Sequence, residues 1–152
     1  MKKIFLAFVA VFAMGTVTNA QIKDLGVRIG GGQGFGTELS AQWGFMGQRL
    51  ETDLGWRSSD GVSVISLSGI YQWTGAIGSG FDWYAGVGAH LGMWSANSHS
   101  DFALGLMGQA GIEYNFEAVP IQLSLDIRPC FYLVPNTDFH WGDIALGIRY
   151  RF

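Results

Sequence analysis

The stretch Asp143–Phe152, D-I-A-L-G-I-R-Y-R-F, separates into two alternating sets. Ile144, Leu146, Ile148, Tyr150 and Phe152 form one, and Ala145, Gly147, Arg149 and Arg151 the other. Successive side chains of a strand point to opposite faces. One face is therefore wholly apolar with two aromatics at its end, and the other is small or cationic. Exposed on a soluble sheet edge, such a strand invites edge-to-edge association. A strand between lipid and a polar lumen requires this division. The competing reading is a half-buried strand of a soluble domain.

The other end of the chain favours the membrane. Lys2 and Lys3 precede an apolar run, Ile4–Met14, and then Thr18-Asn19-Ala20. A basic start, a short apolar region and a small-residue site are the marks of a secretory signal peptide. The run is short for a membrane-spanning helix. The expected organisation is a signal peptide at 1–20 and one domain at 21–152. No Cys lies near the cleavage point, which argues against a lipoprotein anchor.

Composition agrees. The chain is 49% hydrophobic and only 14% charged, against about 25% charged in a typical soluble domain. Glycine is abundant at 23 residues and proline scarce at 3, which suits many strands and tight turns. Apolar residues without a long apolar run must be dispersed on alternate positions, as in a transmembrane barrel. The single Cys130 rules out an internal disulfide framework. The net charge of −3 becomes more negative once Lys2 and Lys3 are removed, and nothing reads as a nucleic-acid surface.

Segments of about ten alternating residues separated by turns recur along the chain, the length that crosses a bilayer at a tilt. The predicted strands are 25–32, 37–45, 49–57, 62–73, 81–94, 101–116, 121–132 and 143–152. The fourth alternates imperfectly, with Val64 and Ile70 on its polar side. Pro129 interrupts the seventh and predicts a bulge. Eight is the smallest even number found in bacterial single-chain outer-membrane barrels. An even number brings both termini to one side, taken as periplasmic. Phe45, Trp73, Phe81, Trp83, Phe116 and Phe152 then fall at that level on the outer face, as an interfacial girdle should. Trp56, Phe131, Phe139 and Trp141 fall near the other rim, where Trp94 is out of phase.

Charged residues collect on the inward parity: Arg28, Arg57, Arg128, Arg149 and Arg151, with Glu38, Glu51, Asp53, Asp82, Glu113 and Asp126. The lumen of eight strands is about filled by side chains, and buried charges must be paired. Arg28, Glu51, Asp53, Glu113, Asp126, Arg128 and Arg149 are expected to form a structural network, with a gated ion path as the alternative. Glu113 and Asp126 are the expected partners of Arg149, and Arg28 should share the same carboxylates.

Reactive constellations are sparse. Asp138-x-His140-x-x-Asp143 offers acid–base groups on an expected loop, but no Ser is placed beside a His in the last strands. No His/Cys group has zinc-ligand spacing. The glycines of 30–34 open no helix, so a phosphate loop fails. No catalytic residue, metal or cofactor is expected.

The signal peptide, alternating strands, aromatic girdles and terminal R-Y-R-F together resemble the small eight-stranded outer-membrane barrels of the OmpA/OmpX type. The phrases Gly111-Ile-Glu-Tyr-Asn-Phe116 and Ala145–Phe152 are similar to outer-membrane barrel domains of Bacteroidetes. The resemblance implies an all-β, eight-stranded, antiparallel up-and-down transmembrane barrel in the outer membrane. It also implies that Ile148, Tyr150 and Phe152 form the signal read by the barrel-assembly machinery, and that outer-membrane lipid surrounds a monomer. No cell-wall domain follows Phe152 and the connections are short, so tethering and adhesin roles are not expected. A non-enzymatic structural or interaction role is the expected function. A narrow pore, a lipid-modifying enzyme and a soluble lipocalin-like carrier remain as alternatives.

Overall fold

Alternation becomes eight strands in the computed structural model, which describes residues 21–30, 36–59, 61–96 and 99–152. The expected signal peptide and most of the 30–34 glycine run lie outside the described residues. The strands are β1 (Ile22–Gly30), β2 (Gly36–Phe45), β3 (Gln48–Ser59), β4 (Val62–Gly78), β5 (Phe81–Ala96), β6 (His99–Asn115), β7 (Ile121–Val134) and β8 (Asp138–Arg151). Each pairs antiparallel with its neighbour in sequence, and β1 pairs with β8, closing the barrel. Closure leaves no unpaired edge, which a sheet within lipid requires. The seam matches Leu25 to Tyr150, Val27 to Ile148 and Ile29 to Leu146.

The opening stretch reads as its pattern predicts. Ile148 is 43% exposed and Arg149, its neighbour, 1%. Leu67, Val87, Leu106, Leu125 and Leu146 likewise stand on the outside. The exterior is thus an apolar wall and the interior polar, the reverse of a soluble carrier.

Tight turns close the end that bears the termini. Met46-Gly47 and Ser79-Gly80 both have positive φ throughout, the two-residue geometry that matches strand twist. Aromatics on that level touch edge-on: Phe45 with Tyr71 at 6.4 Å, Tyr71 with Trp73 at 5.3 Å and Tyr150 with Phe152 at 5.2 Å. Phe139 and Trp141 pair at the opposite rim, 5.3 Å apart. Trp94 turns inward and half-buried, its indole N–H donating to Asp101 at 3.3 Å.

Two boundaries are corrected. β4 continues through Thr74–Gly78, and β8 begins at Asp138, so Asp138–Gly142 is strand and not a loop. Backbone pairing persists there, with Phe131 opposite Phe139 and Cys130 opposite His140. Polar alternation fades toward a rim while the ladder continues. At Pro129 the register shifts between Arg128 and Cys130, the expected bulge.

Candidate functional site

Glu51 lies at the centre of the lumen with no exposure. Its Oε2 accepts from Gln42 Nε2 at 2.6 Å and from an Arg149 NH2 group at 3.0 Å. Its Oε1 accepts from Gln109 Nε2 at 3.1 Å and from the Arg128 guanidinium. These four donors stand on β2, β8, β6 and β7, so one carboxylate on β3 ties five strands together.

Two guanidiniums extend the network. Arg128 also donates to Asp53 at 2.6 Å and to Glu38 at 3.1 Å. Arg28 meets Glu38 at 3.0 Å and Asp126 at 2.6 Å. The Tyr84 hydroxyl donates to Asp126 at 3.0 Å. Arg149 further donates to Ser40 at 3.0 Å and Ser124 at 2.7 Å.

Glycine makes room for these large groups. A Cβ on Gly147 would lie 2.7 Å from an Arg149 guanidinium nitrogen, and one on Gly111 would lie 2.5 Å from the Tyr84 ring. These inward glycines thus leave room for the Arg149 side chain of the same strand and for the Tyr84 ring of the adjacent one.

All seven residues of the predicted network are buried, but their pairing differs from the reading of the chain. Arg149 pairs with Glu51 and not with Glu113 or Asp126. Asp126 pairs with Arg28, without the expected sharing with Arg149. Glu113 pairs with Arg49 at 2.9 Å. Arg49 was missed because it follows a turn, where alternation has barely begun. It donates to Gln72 at 2.5 Å and lies over the Tyr84 ring, 5.1 Å from its centroid. Gln72 continues to Gln109 at 2.5 Å, which joins this lower cluster to Glu51. Asp24 was also missed; it is buried at the termini end, 3.6 Å from the half-exposed Arg151. Asp82 accepts from Asn115 at 2.8 Å near the same end.

Above the charges lies a small apolar layer of Ile70, Met107 and Cys130, with Tyr132 against it. Ile70 is one of the two residues whose inward parity breaks the alternation of β4. Cys130 is a buried free thiol. Ile148 and Tyr150 stand on the outer wall, and the Phe152 N–H donates to the Lys23 carbonyl at 2.9 Å. Among the described residues no group of three His, Cys, Asp or Glu is placed to hold a metal ion.

Apolar wall, closed eight-stranded ladder and charged interior define a class, the small transmembrane β-barrel with the outer-membrane fold. Among solved structures, Neisserial surface protein A has this architecture, at TM-score 0.62 and 15% identity, over 89% of this chain and all of that one. The Yersinia pestis outer membrane protein Ail, solved in a phospholipid bilayer nanodisc, gives 0.50 and 17%, over 87% of this chain and all of its own. At these identities the likeness is one of fold. No protein-family model matches the sequence, and no curated protein does either.

Proposed function

We propose that the protein is an integral outer-membrane barrel with a structural or interaction role, its lumen closed by the charge network and carrying no catalysis. Both termini face the periplasm, outer-membrane lipid covers the apolar wall, and the chain works as a monomer. Ile148, Tyr150 and Phe152 are the surface offered to the barrel-assembly machinery. The observation that carries the reading is Glu51, unexposed and bonded from four other strands. An ion path would have to break this knot, and breaking a buried pair from one side costs about 3–5 kcal/mol.

Planar-bilayer recording tests it. The purified protein should insert without steady conductance. A steady, ion-selective current that Arg149→Ala alters without loss of stability would establish a pore instead.

A further inference from the structure

The termini end of the lumen holds polar groups that the protein itself does not satisfy. Among the described residues six buried side-chain atoms have no hydrogen-bond partner. Four of them are Asp24 Oδ1, Gln42 Oε1, a terminal nitrogen of Arg49 and Glu113 Oε2. Register and pairing bring these side chains together. Asp24 faces Gln42 across β1 and β2, and Gly44, two residues further along β2, faces Arg49 on β3. Arg49 reaches across the lumen to Glu113 and hydrogen-bonds its Oε1 at 2.9 Å; Oε2 is as near but receives no hydrogen bond. Asp24 lies within electrostatic reach of both Arg49 and Glu113. All four residues are more than nine-tenths buried, where a polar group without a partner is costly.

The set of unmatched atoms selects its ligand. Three of them accept and one donates. A cation could serve the oxygens but would stand against the Arg49 guanidinium. An anion could serve Arg49 but would stand against two carboxylates. Water both donates and accepts, so it answers both signs. There is room beside Arg49, because Gly44 has no side chain and the atoms nearest to a Cβ there belong to the flexible end of Lys23, from 2.9 Å. There is also a route. Exposure rises from Glu51 and Gln72 at 0%, through Arg49 at 7%, to the half-exposed Arg151. Lys23 is exposed, and Asp82 and Asn115 are half-buried, at the same end. The route stops at two amides. Arg49 Nε donates to Gln72, Gln72 to Gln109 and Gln109 to Glu51. Each amide is thus engaged by side chains through both its oxygen and its nitrogen.

We infer that the termini end of the lumen is a blind vestibule that binds ordered water, hydrogen-bonded to Asp24, Gln42, Arg49 and Glu113 and halted at the Gln72–Gln109 pair. The inference goes beyond the closed-lumen reading, which holds equally for a dry vestibule.

The test is water-edited solid-state nuclear magnetic resonance of the barrel in phospholipid bilayers, with isotope-labelled arginine. Magnetisation should pass from water to the Arg49 guanidinium as fast as to that of Arg151. It should pass several-fold more slowly to Arg149, which is 1% exposed and bonded to Ser40, Ser124 and Glu51. Gly44→Leu fills the space opposite Arg49 and leaves all four water-binding side chains in place. It should slow transfer to Arg49 to the rate at Arg149 and leave Arg149 unchanged. Resistance of the folded band to unheated detergent checks the variant. Should Gly44→Leu not fold, the comparison of the three arginines in the unaltered protein decides alone. Transfer to Arg49 as slow as to Arg149 would overturn the proposal and leave the closed-lumen reading standing. Fast transfer to Arg49 that persists in folded Gly44→Leu would also overturn it, again without touching that reading. Fast transfer to all three arginines would overturn the stop at Gln72–Gln109 and the closed lumen with it.

Discussion

A carboxylate without exposure has lost its hydration, at an effective cost of several kcal/mol. Glu51 recovers this through two charged and two amide donors. Arg149→Ala leaves Oε2 with Gln42 alone and removes the donors to Ser40 and Ser124. It should destabilise the barrel by about 3–5 kcal/mol, read from denaturant unfolding by tryptophan fluorescence. Glu117→Ala, on an exposed turn, should stay within about 0.5 kcal/mol. The combination of Arg149→Met with Glu51→Leu should cost less than the two single changes added together. Simple additivity would mean that the pair is not coupled.

Each strand divides lipid from lumen by parity, and depth decides how much a charge costs. Leu67, outward, and Ser66, on the inward parity, are neighbours on β4. Leu67→Arg should cost about 2–4 kcal/mol near the bilayer midplane, while Ser66→Arg turns toward the polar lumen and should cost less. Equal losses on unfolding would contradict the assignment of faces. Position 124 would be a poor lumen control, because Ser124 already bonds Arg149. At the β2–β3 hairpin, exposed Met46 holds φ of 50°. Asn tolerates that conformation better, so Met46→Asn should raise stability by roughly 0.5–1 kcal/mol. Strand existence and face were legible in the chain because the pleat has period two, as in Asp143–Phe152. Strand ends were less so: Thr74–Gly78 and Asp138–Gly142 are held by ladder pairing that needs no apolar partner. Pairing within the lumen was not legible either. Parity shows which residues turn inward, but the stagger of a closed barrel sets their relative heights. Hence Arg149 meets Glu51, on a strand not adjacent to its own.

At the scale of the whole molecule, the apolar wall and the charged interior depend on each other. An eight-stranded lumen is too narrow to hydrate its charges freely, so they pair across it and brace the strands. The wall in turn can be fully apolar because the polar residues are turned inward. The most direct measurement places each face in its solvent. With the barrel in nanodiscs containing a chain-labelled paramagnetic lipid, the outward methyls of Leu67, Leu125, Leu146 and Ile148 should broaden strongly, and that of Ile70, unexposed in the lumen, should not. Broadening of Ile70 by the lipid label, or of Leu146 and Ile148 by a water-soluble one, would contradict the membrane-spanning barrel with an apolar wall and a polar lumen.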